Sequence, residues 1–165
     1  MKSHYQVLIV GAGPVGLLLA CRLKKNGIDV AVVEKRSSRS THSKALSMNA
    51  ASLALLRSLG VVERFELSGK EISDILIYWD QQRISHVDYR QLNSCYQHIL
   101  AIPQPETERL LEEYFIELGG EIKRSVTLNA IDIGSNGIVI REVIFIKENN
   151  FSSIIQQNFD CCGLL

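Results

Sequence analysis

The stretch "VLIVGAGPVGLLLACRLKKNGIDVAVVEKR", Val7 to Arg36, decides the fold. A short apolar run, Tyr5 to Val10, ends at a glycine, which is typical of a strand buried on both faces of a parallel sheet. The pattern then predicts a helix from Pro14 to Lys25, because proline suits a first helical turn. A second β-branched run follows from Asp29 to Glu34. Together these elements predict a βαβ unit in an α/β protein.

The turn between the first strand and the helix carries the pattern G-x-G-x-x-G. Gly11 permits the tight turn, Gly13 lets the backbone approach a pyrophosphate, and Gly16 lets the helix pack close to the strand. The helix start adds N–H groups and a partial positive charge. The alternative, glycines that only serve packing, stays open. The pattern therefore predicts a dinucleotide site formed by Gly11, Ala12, Gly13, Pro14, Val15 and Gly16.

An acidic residue ends the second strand. Glu34 follows Gly11 by 23 positions (34 − 11), against the ~20 typical of an acid that binds the adenosine ribose. Because a 2′-phosphate would meet this carboxylate, NADP is disfavoured as the primary ligand, although Lys35 and Arg36 could soften the repulsion. FAD and NAD both carry a free 2′-hydroxyl, so the acid does not separate them.

The remaining chain shows further helix and strand patterns. A helix is predicted over Asn49 to Leu59, with Leu53, Leu56 and Leu59 on one face and Gly60 after it. A second helix opens at Pro105 and closes at Gly119-Gly120. Residues 71–90 indicate a hairpin or strand pair around Gln81-Gln82. The other predicted strands are Ile99–Ile102, Glu121–Leu128, Ala130–Ile133 and Gly137–Lys147.

Composition narrows the classes of function. Lys and Arg number 18 and so do Asp and Glu, so electrostatics favour neither nucleic acid nor an anionic membrane as a partner. No apolar run reaches the ~18 residues of a membrane span, and the N-terminus lacks a signal-peptide pattern, which makes a cytoplasmic protein the default expectation. Neither a metal site nor a catalytic residue is assigned, because the histidines lack metal-ligand spacing and there is no nucleophile elbow.

Two later stretches, "SKALSMNAASLALLRSLGVVERF" and "IPQPETERLLEEYFIELGGEIKR", extend the pattern set by the glycine turn. With that turn, they resemble the N-terminal part of the FAD-dependent aromatic-ring hydroxylases, the para-hydroxybenzoate hydroxylase-like flavoprotein monooxygenases. The resemblance runs from Gln6 to about Val126. It is fairly specific for the superfamily and says little about the substrate.

The resemblance implies a Rossmann-like FAD/NAD(P)-binding fold of the glutathione-reductase type, with an inserted β-rich segment of substrate-domain type. Residues 1–70 would form the βαβ core, 71–102 the inserted strands, and 103–165 the returning helix and strands. The implied cofactor is FAD, with NAD(P)H as the electron donor and an aromatic or related small organic substrate that is hydroxylated with O2. The cofactor would carry out the redox chemistry, and the role of the protein would be to bind and orient it.

The resemblance also implies roles for single residues. Besides the glycine turn, Glu34 and Lys35 would lie at the cofactor. Lys44 stands where the family normally has an arginine along the FAD, and lysine keeps the charge but lacks the planar fork of two donors. Gln104 would hydrogen-bond the cofactor near its middle, the alternative being a polar helix cap. Tyr78, Trp79 and Tyr89 would line a substrate face or, as we prefer, pack in a core or across strands.

Two family motifs, an Asp-Gly and a Gly-Asp that holds the ribityl chain, are not found in these 165 residues. The expectation is therefore a truncated, N-terminal portion that is inactive alone and needs a C-terminal part, with a homo-oligomer also open. Two alternatives remain: an NAD-binding oxidoreductase domain that uses the βαβ unit, and a non-catalytic remnant of the flavoprotein.

Overall fold

The computed structural model describes residues 5–39, 46–134, 137–145, 154–155 and 160–161, and it describes side chains up to residue 128. The helices are α1 (Pro14–Lys25), α2 (Ala50–Leu59), α3 (Val62–Ser68) and α4 (Gln104–Glu117). The strands are β1 (Val7–Val10), β2 (Val30–Glu34), β3 (Ser47–Met48), β4 (Lys70–Ile72), β5 (Asp74–Trp79), β6 (Gln82–Asp88), β7 (Ile99–Ala101), β8 (Glu121–Arg124), β9 (Val126–Gly134), β10 (Gly137–Phe145), β11 (Ile154–Ile155) and β12 (Asp160–Cys161).

The chain divides into two compact units. The first unit comprises residues 1–40 and 111–165, and the second unit comprises residues 41–110. No helix in the described part of the chain is long and apolar enough to cross a membrane.

The first unit contains a parallel sheet in the order β1-β2-β8. Strand β2 lies in the middle, with Val7 paired to Val30 on one side and Ala31 to Glu121 on the other. Its first four residues are at most 2% exposed, as expected for a strand covered on both faces. The predicted βαβ unit and its parallel sheet are confirmed.

Helix α1 has the predicted bounds, with Pro14 in its first turn. Its inward side chains Leu17, Ala20 and Cys21 are fully buried. The Cys21 thiol donates to the carbonyl oxygen of Leu111 at 3.4 Å, and burial raises the pKa of this thiol to about 12. The neutral thiol is therefore a core group.

The single strand predicted over Glu121 to Leu128 is wrong. Ser125 has a φ of +60°, which breaks the extended backbone between β8 and β9. Its N–H donates to the carbonyl oxygen of Arg36 at 3.2 Å. Strand β8 pairs in parallel with β2, whereas β9 turns away and pairs antiparallel with β10.

Strand β9 runs continuously to Gly134, through the gap that the sequence suggested before Ala130. Gly134 lies opposite Gly137 in the ladder between β9 and β10. The two residues between these glycines, and the predicted end of the last strand at Lys147, lie outside the described residues.

The second unit combines helices α2 and α3 with an antiparallel sheet in the order β3-β7-β4. The Asn49 side chain caps α2 by accepting from the N–H of Ser52 at 2.9 Å, and the helix ends at Gly60 as predicted. The predicted inner face is confirmed, since Leu53, Leu56 and Leu59 are buried. Helix α3, which buries Val62 and Phe65, was not predicted from the sequence.

A separate hairpin is formed by β5 and β6. Its turn is Asp80-Gln81, with φ values of +44° and +63°. The predicted turn at Gln81-Gln82 is wrong by one residue, because Gln82 already pairs with Trp79.

The aromatic residues of this hairpin are not in a core. Tyr78 is 56% and Trp79 is 76% exposed, and each lies opposite a polar residue, Arg83 and Gln82. Tyr89 is half-buried in a 3-10 turn that follows β6. Of the two preferred alternatives, packing in a core is therefore wrong for Tyr78 and Trp79, because the described residues leave both side chains largely uncovered. Packing across the strands stays a prediction.

Candidate dinucleotide-binding site

The glycine turn joins β1 to α1 in the first unit. Gly11 has a φ of +108°, a conformation that side-chain-bearing residues rarely adopt. Its N–H donates to the carbonyl oxygen of Val33 at 2.7 Å. The turn is thus anchored to the end of β2, and Gly11 is required by the backbone itself.

Gly16 and Gly13 differ in what a side chain would meet. A Cβ on Gly16 would collide with the carbonyl oxygen of Gly11, so the helix reaches this close to the turn because position 16 has no side chain. At Gly13 the backbone is extended, with φ of −79° and ψ of 177°, which other residues adopt freely. A Cβ there would meet nothing within 4 Å. The ligand-free fold therefore requires Gly11 and Gly16 but gives no reason for Gly13.

The start of α1 is suited to an anion. Gly13 occupies the N-cap position without a side-chain hydrogen bond, and the first turn carries no acidic residue. Backbone N–H groups at such a helix start lack intrahelical partners, and the helix dipole adds a partial positive charge. Val15, at the same end, is 81% exposed, so the described residues leave this end of the helix uncovered. This geometry matches that of known phosphate-binding helix starts.

Glu34 lies at the carboxyl end of β2 and contacts the same turn. Its Oε2 accepts from the N–H of Ala12 at 2.8 Å, and its Oε1 accepts from the N–H of Arg36 at 3.0 Å. Partial burial opposes ionisation. The two backbone hydrogen bonds, with the positive charges of Arg36 and Arg124, outweigh burial and hold the pKa of Glu34 below its usual value. At neutral pH the site thus presents a carboxylate, which accepts hydrogen bonds from ligand hydroxyls.

The other candidate residues have different placements. Lys35 is exposed beside Glu34, and Lys44 lies outside the described residues. Gln104 belongs to the second unit, where it is the first residue of α4 and donates from Nε2 to Glu108 Oε1 at 2.7 Å. The structure thus brings the glycine turn and Glu34 together within the first unit.

Sequence reasoning missed two features of these residues. The bond between Glu34 and Ala12 was not anticipated, although both residues were assigned to the site. Glu108 was predicted only as an acid in the first turn of the helix and not as a partner of Gln104, although its spacing of four from Gln104 places the two on one helix face. No group of three or more metal-ligating side chains occurs among the residues that the structure describes.

Comparison with known proteins gives a consistent set of matches. The model of the FAD binding domain family matches residues 4–140. An uncharacterized aromatic compound monooxygenase of Bacillus subtilis is 30% identical over 93% of this chain and 30% of its own length. A rifampicin monooxygenase of Rhodococcus hoagii is 32% identical over 76% of this chain and 26% of its own length.

Among solved structures, the p-nitrophenol 4-monooxygenase of Pseudomonas putida superposes with a TM-score of 0.80 at 25% identity. The match covers 87% of this chain and 37% of that protein. The chain thus spans between about a quarter and two-fifths of the length of these three proteins. The predicted Rossmann-like α/β fold of FAD-binding type is confirmed by the family match and by this superposition.

Proposed function

The chain belongs to the FAD binding domain family, and we propose that it binds FAD through the glycine turn and the carboxylate of Glu34. The pyrophosphate lies against the backbone N–H groups at the start of α1. The adenosine ribose donates its hydroxyls to Glu34. The turn residues assigned to this contact are Gly11, Ala12, Gly13, Pro14, Val15 and Gly16.

The observation that carries the proposal is the open space at Gly13. A glycine that only served packing would have neighbours close to its missing side chain, as Gly16 has. Gly13 has none within 4 Å and a backbone conformation that needs no glycine. An approaching pyrophosphate explains why this position carries no side chain.

Glu34 supports a ligand with a free 2′-hydroxyl. Its carboxylate accepts hydrogen bonds and, being ionised, repels a 2′-phosphate. Its bonds to the N–H groups of Ala12 and Arg36 hold it against the turn, so the ribose and pyrophosphate contacts are set together. Lys35 lies exposed at the same strand end, where its charge adds to the attraction for the diphosphate.

Two further residues extend the proposed site on the basis of the family resemblance. Lys44 provides a positive charge along the FAD, as a single point charge rather than the planar fork of an arginine. Gln104 hydrogen-bonds the cofactor near its middle. Within the chain, we assign residues 1–70 to the dinucleotide-binding core, 71–102 to inserted strands of substrate-domain type, and 103–165 to the returning helix and strands.

The proposed activity of the whole flavoprotein is hydroxylation of a small aromatic substrate. The matched proteins support this class, because they are named as an aromatic compound monooxygenase, a rifampicin monooxygenase and a p-nitrophenol 4-monooxygenase. When bound, FAD supplies the transfer of electrons from NAD(P)H to O2 that such hydroxylation requires. The residues described above bind and orient the adenosine half of the cofactor, and no catalytic residue is assigned.

Titration of the 165-residue chain with FAD, NAD and NADP tests this proposal. We expect FAD to bind more tightly than NAD, and NADP to bind most weakly because its 2′-phosphate meets Glu34. Replacing Glu34 with alanine should weaken FAD binding and reduce the discrimination against NADP. Stronger binding of NAD than FAD would favour the NAD-binding alternative, and failure of all three to bind would overturn the proposal.

A further inference from the structure

Two residues of opposite charge lie side by side at the carboxyl end of the parallel sheet. Glu34 of β2 pairs with Arg124 of β8 in the ladder between these strands. Both residues belong to the first unit, as does the glycine turn. Side chains of paired residues project to the same face of a sheet, and opposite charges on neighbouring strands attract one another. Their positions alone would therefore favour a direct ion pair between Glu34 and Arg124.

The structure shows a different partner for Arg124. Its guanidinium donates from Nη2 to Oε2 of Glu112 at 2.6 Å, and Glu112 lies in the part of α4 that belongs to the first unit. The Nη1 atom of Arg39 lies 3.5 Å from the same oxygen. The hydrogen bonds that Glu34 accepts in the described part of the chain come instead from backbone N–H groups. Arg124 is thus bound to the carboxylate of the helix and not to that of the neighbouring strand.

This arrangement leaves Glu34 able to bind a ligand. A carboxylate has about four acceptor positions, and the N–H groups of Ala12 and Arg36 use one on each oxygen of Glu34. Burial opposes the ionisation of Glu34, and Arg124 lowers the pKa of this carboxyl through its charge. A guanidinium in direct contact would also occupy an acceptor position and cancel much of the negative charge. Ribose hydroxyls would then bind less well, and a 2′-phosphate would be repelled less.

Glu112 determines which of the two carboxylates binds Arg124. The side chains of Arg124 and Glu112 are 19% and 14% exposed. A guanidinium with so little access to water is costly to leave without an anion. Without the carboxylate of Glu112, the acid that pairs with Arg124 across the ladder is Glu34. Loss of Glu112 should therefore bring the guanidinium onto Glu34.

We propose that Glu112 is a positioning residue, which sets the nucleotide specificity of the first unit by binding the Arg124 guanidinium and so keeping it from Glu34. This inference rests on the proposed function, in which Glu34 accepts the ribose hydroxyls and repels a 2′-phosphate. Glu112 itself contacts no ligand in this account. It acts through Arg124 on the charge and the remaining acceptor positions of Glu34.

The test compares the affinities of NAD and NADP, which differ only in the 2′-phosphate, for the 165-residue chain and its variants. The unsubstituted chain should prefer NAD. In Glu112→Leu this preference should fall roughly fivefold, because an ion pair with Arg124 offsets the charge of Glu34. Glu112→Gln is the first control, since it removes the same charge but keeps an oxygen that accepts from Arg124. Its preference should stay closer to that of the unsubstituted chain.

The second control is the double variant Glu112→Leu, Arg124→Met. An apolar pair in place of a little-exposed ion pair is often neutral for stability, and the guanidinium that would reach Glu34 is gone. The preference for NAD should therefore be at least that of the unsubstituted chain. An unchanged preference in Glu112→Leu would overturn the positioning role. An equal loss in the double variant would also overturn it, because the loss would then not depend on Arg124.

A readout without nucleotide separates this inference from the proposed function. The titration of the Glu34 carboxyl, followed by NMR, should move to lower pH in Glu112→Leu, because a closer positive charge favours the ionised form. The move should be smaller in Glu112→Gln, and the double variant should titrate at higher pH than the unsubstituted chain. An unmoved titration in Glu112→Leu, or an equal move in Glu112→Gln, would overturn the inference while leaving the proposed function intact. If the unsubstituted chain binds no dinucleotide, both are overturned.

Discussion

The glycine turn and the β5–β6 hairpin differ in how their conformations are held. The turn is attached to β2 by two hydrogen bonds, from Gly11 to Val33 and from Ala12 to Glu34, and β2 is itself buried. The hairpin leaves Tyr78 and Trp79 largely exposed, and its two turn residues both have positive φ without being glycine. The proposed nucleotide site is therefore preorganised by a tightly packed sheet, whereas the hairpin depends mainly on its own ladder.

The largest effect is expected for Gly16→Ala in the turn. The new Cβ would collide with backbone atoms of Gly11, and relief requires α1 to move away from the strand. Overpacking of this kind should lower the free energy of unfolding by about 2–3 kcal/mol, measured by urea denaturation. Val15→Ala is the matched control on the same helix, because Val15 is exposed. A similar, small change in both variants would show that the turn is not tightly packed.

A smaller effect is expected for Glu34→Gln, and it depends on pH. The pKa of Glu34 is held below its ordinary value of 4.5 in the folded chain, although burial opposes this shift. The stabilisation is therefore present above the ordinary value and is lost as the pH falls through the lower, folded one. Denaturation curves should show a loss of stability over this acidic range that is smaller in Glu34→Gln. Identical pH dependence in the two proteins would contradict the role given to its hydrogen bonds.

A substitution in the turn of the hairpin should stabilise the hairpin, whereas Gly16→Ala destabilises the first unit. Gln81→Gly removes the cost of a positive φ at a residue with a side chain, roughly 1 kcal/mol. Hydrogen exchange should become slower for the amides of β5 and β6, with little change in the first unit. Gln82→Gly is the control, because Gln82 already belongs to β6 and glycine weakens a strand. Faster exchange in Gln81→Gly would mean that the turn lies elsewhere.

The smallest effect is expected for Trp79→Ala at the end of β5. This side chain is 76% exposed, and substitutions at such positions usually change stability by less than ~0.5 kcal/mol. Thermal unfolding should therefore give nearly the same midpoint as the unsubstituted chain. A loss of stability comparable to that in Gly16→Ala would show that the hairpin is packed as tightly as the glycine turn.

Sequence reasoning succeeded where local signals act over a few residues. Helix α1 was predicted with correct bounds because Pro14, an apolar stripe and Asn26-Gly27 mark its start, face and end. The break at Ser125 was not predictable, because β-branched residues continue through it and a serine with positive φ has no distinctive pattern. The hairpin turn was misplaced because Asp80 and Gln81 have positive φ without a glycine that would mark the position. Helix α3 was missed because its two buried residues are too few to show a period.

In the candidate site, too, the features with a local sequence signal were predicted and those that depend on tertiary structure were not. The glycine turn and Glu34 were assigned to the candidate site from spacing alone, since the chemistry of a pyrophosphate turn restricts the residue types. Their mutual bond was not predicted, because it depends on where the end of β2 lies beside the turn. The contrast between Gly13 and Gly16 also required coordinates, because both are simply glycines in the sequence.

We infer that the space beside Gly13 is open because it receives the pyrophosphate of the bound cofactor. The most direct test is Gly13→Ser, measured for both stability and FAD affinity. Serine is a favourable N-cap residue, so the free energy of unfolding should rise by a few tenths of a kcal/mol, while its side chain would occupy the ligand space and weaken FAD binding roughly tenfold or more, about 1.4 kcal/mol. Opposite changes in stability and affinity are the predicted result. Unchanged FAD affinity in a stably folded Gly13→Ser chain would contradict the placement of the pyrophosphate at Gly13.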